Sequence, residues 1–393
     1  MSKRIAIIME RADIALGGAE RSVLELAAAL SVLGPKVDIL AAKGQRQSDN
    51  VHILCRDTAG KRASYAAFAN ALTKYLAENH YDVVHSVLPF DFADIYQPRG
   101  GAYIESIRRN AASYQSKPIE AFKKLTAFAN VRRTVLLRAE RRLCEQADGP
   151  TIVAISQYVA EQFKQHYAVP DRRLVVVPGG IRPFAQADPA KADRLRTQIM
   201  SQLNIKEAEQ PVFFLFVANN FRLKGLAALI RAMHMVAQRR TARPALAIIA
   251  GRGKPHKYEG LAKKLEVHKR IVFLGIIQRI QDALSISDVG ILPTFYDPCS
   301  RFILEVLAAG KPVITTRFNG ATDLFVKDRH GKVIDHPEDT AALAEAIAYF
   351  TDTNNIQAAT QAIAADNLKE KISVNRVAKQ LLSVYESIRQ RKG

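Results

Sequence analysis

Cysteine is scarce, with three in 393 residues: Cys55, Cys144 and Cys299. They are odd in number and lack the paired close spacing of a zinc site or redox centre. A disulfide scaffold and structural zinc therefore drop out, and the thiols read as reduced. No run approaches the ~18 apolar residues that a spanning helix needs. Behind Met1-Ser2-Lys3-Arg4 lies only the short apolar run Ile5 to Met9, too brief for a secretory signal, so the expected location is cytoplasmic. Acid is in deficit too. Against 57 Lys and Arg stand 38 Asp and Glu, a formal charge of +19, which favours an anionic partner. Nucleic acid is not the expected one, because neither zinc-finger spacing nor an aromatic RNA-binding signature accompanies the charge. The three-glycine dinucleotide fingerprint is missing, and so is an Asp-x-Asp metal pair at the end of a suitable strand.

What is present reads as a folded α/β protein. The hydrophobic share of 48% and charged share of 24% are globular values, and the length exceeds what one core usually organises, which predicts two domains. Short β-branched runs alternate with helical patterns at Ile5–Met9, Val37–Ala41, Val51–Cys55, Val83–His85, Ile152–Ile155 and Leu174–Val177. That alternation predicts a parallel sheet. It breaks at the turn-rich stretch Pro178 to Pro183 and resumes at Val212–Val217, Leu246–Ala250, Ile271–Leu274, Val289–Leu292 and Val313–Thr316, with a helix over Lys224 to Gln238 among them. The predicted organisation is two tandem doubly wound, Rossmann-like domains, residues 1–180 and 181–373. A final helical stretch, 374–393, is free to pack back on either, with the first domain its expected place.

The charge is concentrated. Between Arg99 and Arg142 stand 11 basic residues against 3 acidic ones. Periodicity predicts one amphipathic helix over about Lys117 to Arg142, with Phe122, Leu125, Ala129, Leu136 and Leu143 on one side and Lys123, Lys124, Arg138, Arg141 and Arg142 roughly opposite. Two readings fit. One is a helix at an anionic lipid surface, held by Lys117, Lys123, Lys124, Arg132 and Arg133 at about 1 kcal/mol per nearby basic residue. The other is a soluble helix with a solvated outer face.

After the first strand, Gly17-Gly18 open a helix. Glycines at such a turn let backbone N–H groups approach an anion where the helix dipole favours negative charge, although tight turn geometry explains the pair equally well. The densest signal lies between Phe295 and Val313. Seven residues separate Asp297 from Glu305, and a helix beginning near Arg301 places Glu305 one turn inside it, leaving N–H groups of the preceding turn for a ligand. His85 ends a predicted parallel strand, on the side where such sheets put their ligands; a satisfied packing histidine is the other reading. In the loop that follows, Asp91 or Asp94 could bind acceptor hydroxyls, with Asp91 the first choice.

The Asp297 to Glu305 stretch, with its Ala308-Ala309-Gly310-Lys311-Pro312-Val313 tail, resembles the Glu-x7-Glu motif of retaining glycosyltransferases of family 4, with Asp in the first place. Phe221-Arg222-Leu223-Lys224-Gly225 and Phe318-Asn319-Gly320-Ala321 resemble further segments of that family in the expected order. The resemblance implies the GT-B fold, in which two doubly wound domains face each other across a cleft. It implies that Asp297 holds donor-sugar hydroxyls, Glu305 the nucleotide ribose, and Lys224 the donor diphosphate, with Arg222 assisting. Gly17, Gly18, Cys299, Ser300 and Arg301 fall among the donor contacts, and Gly251 and Ile276 in the base-contacting neighbourhood. His85 falls near the transferred sugar. The family often carries a Gly-Arg pair where Ala218-Asn219 stand here, which leaves the second cation unassigned.

Catalysis is then expected without a metal or other cofactor, with Lys224 and N–H groups stabilising the leaving diphosphate, which itself receives the acceptor's proton. UDP-glucose is the donor expected from the family. Lipopolysaccharide-core glucosyltransferases are similar in length, in the Pro89 to Gly101 loop and in the basic segment after it. That likeness implies a lipid-linked acceptor and a peripheral position on the cytoplasmic face of the inner membrane. A sugar-nucleotide 2-epimerase of the same fold and a nonenzymatic basic membrane- or nucleic-acid-binding protein are the alternatives.

Overall fold

A computed structural model describes residues 3–13, 17–46, 48–56, 62–114, 116–126, 129–182 and 186–392. The chain divides into two units, one of residues 1–111, 116–182 and 373–393, the other of 112–115 and 183–372. Pro183, in the turn-rich stretch named above, lies outside the described residues.

The first unit holds seven strands: β1 (Arg4–Ala12), β2 (Lys36–Gly44), β3 (Val51–Ile53), β4 (Val83–Ser86), β5 (Ile95–Tyr96), β6 (Thr151–Ala154) and β7 (Leu174–Val176). They lie in the order β3-β2-β1-β4-β5-β6-β7, every pairing parallel. A parallel sheet is covered on both faces, and β1 shows it. Ile5, Ile7 and Met9 enter one core cluster, whereas Ala6 and Ile8 enter another. The first cluster is closed by Val23, Leu26, Ala27 and Leu30 of the helix Gly18–Val32. The final helix, Val374–Lys392, closes it too, through Val374, Val377, Ala378, Leu381, Tyr385 and Ile388 at helical spacing. The second cluster receives Phe68 and Leu72 from the helix Tyr65–Glu78.

The second unit has six strands: β8 (Val212–Val217), β9 (Ala245–Ala250), β10 (Ile271–Gly275), β11 (Val289–Leu292), β12 (Val313–Thr316) and β13 (Gly331–Ile334). Their order is β10-β9-β8-β11-β12-β13, again all parallel. Both units are doubly wound parallel sheets, as the alternation of strand and helix patterns predicted.

Strands β5 and β13 were not expected. The first is two residues long and the second opens on a glycine and a lysine, so neither shows a β-branched run. The basic segment also differs from expectation. It forms two helices, Lys117–Thr126 and Val131–Glu145, rather than one. Asn130 is the reason: its extended backbone leaves the helical path, and its side chain accepts from the N–H of Arg133 at 3.0 Å, starting a new helix. The supposed apolar stripe is divided accordingly. Leu136 and Leu143 are buried in the first unit, but Ile119, Phe122 and Leu125 are 45%, 59% and 78% exposed. Inside the second of these helices Glu140 is fully buried and accepts from the Tyr96 hydroxyl (2.7 Å), the Tyr167 hydroxyl (2.8 Å) and the Tyr103 N–H (2.8 Å). Burial pushes its carboxyl up to about 7 against the pull of those donors.

Candidate active site

The second unit brings the strongest sequence candidates together at the carboxyl ends of its strands, where parallel sheets place ligands. The loop after β8 carries Lys224 and is tied to the loop after β11 by the main chain, Phe295 donating to the Leu223 carbonyl at 2.9 Å. Gly225 makes the approach possible. Its φ is +80°, and a Cβ there would stand 1.9 Å from the carbonyl oxygen of Pro293. Lys224 is thereby carried to Asp297, with Nζ 2.7 Å from Oδ2 and 2.8 Å from the carbonyl oxygen of Tyr296. Both side chains keep some solvent exposure, 19% and 15%.

Four residues beyond Asp297 a helix begins, Arg301–Ala308. Ser300 caps it, its hydroxyl accepting from the Ile303 N–H at 3.4 Å. Glu305 lies one turn inside, buried, and accepts from Arg301 Nε at 2.9 Å. The Asp297 backbone is held from both directions: its N–H donates to the Phe318 carbonyl and its carbonyl accepts from the Gly320 N–H, both at 2.9 Å. Cys299 is half-buried in this loop.

Other candidates are placed differently. Arg222 stacks on the Tyr114 ring at 3.7 Å and hydrogen-bonds the Ser113 hydroxyl, and burial lowers its pKa. Its guanidinium is thus engaged by the short segment 112–115 of the same unit. Gly251 adopts φ +129°, with its N–H donating to the Gly275 carbonyl at 2.7 Å, and Ile276 beside it is 67% exposed.

In the first unit Gly17 and Gly18 open the helix after β1, and the preceding residues 14–16 lie outside the described ones. Glu20 stands in the first turn of that helix and pairs with Arg11 at 3.3 Å. His85 is fully buried at the end of β4, its Nδ1 2.7 Å from the hydroxyl of Tyr385 in the final helix. Burial first, and the Arg99 charge second, hold it down at about 3, so the ring is neutral. Asp91 is exposed in the turn after β4, whereas Asp94 accepts from the Val84 N–H at 2.8 Å and serves the fold. Arg132 is half-buried and engaged within the first unit. It reaches Glu10 at 2.7 Å and the Ala63 carbonyl at 3.2 Å. Lys117 and Lys124 are exposed, Lys124 pairing with Glu120 at 2.6 Å, while Lys123 and Arg133 are half-buried.

Sequence reasoning gave no role to Thr294, Thr315 or Asn319. Thr294 is buried, its hydroxyl donating at 3.0 Å to the Tyr296 carbonyl that Lys224 also reaches. Nothing in their residue types marks such second-layer contacts, which arise only when the loops converge.

Two family models match, one described as glycosyl transferases group 1 over residues 198–367 and one as glycosyltransferase family 4 over residues 16–183. Between them they take in most of both units. The chain belongs to the family-4 glycosyltransferases. Among its relatives is the lipopolysaccharide glucosyltransferase WaaG of Escherichia coli K12, 22% identical over 340 residues, covering 84% of this chain and 85% of that protein. A crystal structure of a WaaG superposes with a TM-score of 0.67 at 19% identity, covering 99% and 98% of the two chains. An uncharacterized glycosyltransferase of Methanocaldococcus jannaschii is 24% identical over 238 residues, which span 60% of this chain and 59% of the relative. HepE of Anabaena, in complex with UDP-glucose, superposes with a TM-score of 0.68 at 16% identity, covering 98% and 99%. At these identities the structural likenesses establish the fold, which is the two-unit α/β architecture expected.

Proposed function

We propose that this family-4 glycosyltransferase is a retaining enzyme that moves a hexosyl group from a UDP-sugar, UDP-glucose first, to a glycan or glycolipid acceptor without a metal. One observation carries the reading. The diphosphate and the glycosyl group of a sugar nucleotide share a single bond, so the side chains that hold them must be neighbours, and Lys224 Nζ stands 2.7 Å from Asp297 Oδ2. Lys224 takes the diphosphate, Asp297 the sugar hydroxyls, and Glu305 the ribose. Charge accumulating on the phosphate oxygens at the transition state is met by a cation already fixed in place. The acceptor hydroxyl attacks from the leaving-group face and its proton passes to the diphosphate, so no protein base is required. In the first unit Asp91 is the acceptor-side candidate. The UDP-glucose complex of HepE and the glucosyltransferase WaaG support the choice of donor. The test is to incubate the protein with UDP-glucose and a heptose-containing lipid-linked core in excess EDTA, then read the anomeric configuration by NMR. Transfer with retention is expected. Inversion, epimerised nucleotide, or activity that returns only with added magnesium or manganese would each overturn part of the reading.

The helix Lys117–Thr126 supports a lipid-linked acceptor. It buries no side chain, and it sets exposed Ile119, Phe122 and Leu125 beside Lys117, Lys123 and Lys124, a combination suited to an anionic bilayer surface. In flotation at near-physiological salt the protein should partition onto phosphatidylglycerol vesicles more than onto neutral ones. A Phe122→Ser, Leu125→Ser double variant and a Lys123→Gln, Lys124→Gln double variant should each detach it while leaving UDP binding unchanged. Equal partitioning onto both vesicle types would remove the electrostatic argument.

A further inference from the structure

We infer that Asn319 is the positioning residue of the donor loop, the group that sets Asp297 and the start of the Glu305 helix in one fixed relation; the inference rests on the donor site proposed above. Asn319 is fully buried and no hydrogen bond joins its side chain to the carboxylates of Asp297 or Glu305 or to Lys224 among the contacts described. Its amide instead links three segments. The Oδ1 atom accepts from the N–H of Ser300 and from the N–H of Ala321, both at 3.1 Å, while Nδ2 donates to the Thr315 hydroxyl at 2.9 Å. Thr315 in turn donates to the Leu292 carbonyl at 2.9 Å, so the chain of bonds is anchored at the ends of both β12 and β11.

The position of these bonds matters more than their number. Ser300 is the residue that caps the helix Arg301–Ala308, so fixing its N–H fixes where that helix begins. Asp297 is gripped on the same side by the residues flanking Asn319, through the Phe318 carbonyl and the Gly320 N–H. Glu305 rides on a rigid helix and depends on Asn319 only through that helix. Asp297 sits on an irregular loop that a single isolated parallel bridge joins to the Asn319 segment. Losing the amide should therefore loosen the sugar-side carboxylate more than the ribose-side one, and displacement of a reacting group by about 1 Å can cost roughly 100-fold in rate.

The variants are Asn319→Ala, which removes every bond, and Asn319→Asp, which keeps the oxygen that accepts from Ser300 and Ala321. Each is measured for kcat per folded molecule with UDP-glucose, affinity for free UDP by calorimetry, and Tm. The expected result is a kcat about 10- to 100-fold lower for Asn319→Ala, free-UDP affinity within a few-fold of wild type, and partial recovery of kcat in Asn319→Asp. A purely structural role would lower Tm and the folded fraction without this split. If Asn319→Ala does not fold, Thr315→Val removes only the Nδ2 partner and should lower kcat by a smaller factor with UDP affinity retained. Overturning results are a wild-type kcat per folded molecule in the Asn319→Ala protein, equal loss of UDP affinity and kcat, or, from Thr315→Val alone, an unchanged kcat. Wild-type protein that neither binds UDP nor turns over UDP-sugars is a different failure, that of the donor site itself.

Discussion

On the donor site proposed above, Lys224→Ala is expected to lower kcat by roughly two to three orders of magnitude, the loss typical of removing one preorganised group aimed at developing transition-state charge, while affinity for free UDP should fall far less. The argument begins with where the ammonium sits. Held by Asp297 at 2.7 Å and the Tyr296 carbonyl at 2.8 Å, Nζ has exchanged much of its hydration for fixed protein partners. In the ground state a bound diphosphate meets a cation that Asp297 partly neutralises. As the glycosyl bond breaks, negative charge grows on the leaving phosphate and the attraction grows with it, which is the differential binding that raises kcat. Lys224→Arg should not restore activity fully, because a planar fork cannot occupy the place of a compact ammonium between a carboxylate and a carbonyl. Single-turnover rates beside calorimetric UDP titration decide the matter. Equal losses in both would make Lys224 an ordinary binding residue, and unchanged rates would remove it from the reaction.

The second large effect is on binding. Glu305→Ala is expected to weaken UDP by roughly 1.5–3 kcal/mol, the worth of a charge-assisted hydrogen bond lost from a ribose hydroxyl, for UDP and UDP-glucose alike. Glu305 is buried and oriented by Arg301 at 2.9 Å, so its carboxylate enters the site already aimed. Asp297→Ala behaves oppositely, reducing turnover more than UDP affinity, because the sugar and not the nucleotide loses its partner. Glu305→Gln separates the two parts of the effect: the oxygen that can accept from ribose remains, and only the charge is gone. Calorimetry on the three variants against UDP is the measurement. Wild-type affinity in Glu305→Ala would reassign the residue to helix structure, with the Arg301 contact as its whole purpose.

Legibility in the sequence followed burial and locality. Val212–Val217 is an unbroken apolar run because β8 is covered on both faces, and its strand could be read directly. Ile95–Tyr96 is as deeply buried, but two residues carry no period, and the strand became visible only beside β4 and β6. The helix break at Asn130 is hidden because the charge and apolar spacing on either side suggest one element, although an Asn before a helical run is an N-cap signal. In the site, the spacing of Asp297 and Glu305 was local and readable, as was the helix start at Arg301. The meeting of Lys224 with Asp297 was not readable from spacing at all. It depends on Gly225 tolerating the Pro293 carbonyl, and residue types alone pointed to it only through the likeness to a family. The contact of His85 with Tyr385 joins residues 300 positions apart, beyond the reach of any periodicity.

That same distance bears on how the protein is made. The face of the first sheet that Ile5, Ile7 and Met9 present is completed by Val377, Leu381 and Tyr385. On a ribosome, residues 5–9 wait for residues 377–385 before their core can close. The first unit is therefore expected to close only after residues 183–372 have had the chance to form their own sheet. A nascent chain arrested before residue 374 should hold a protease-resistant second unit beside a first unit that is still open to cleavage and to chaperones.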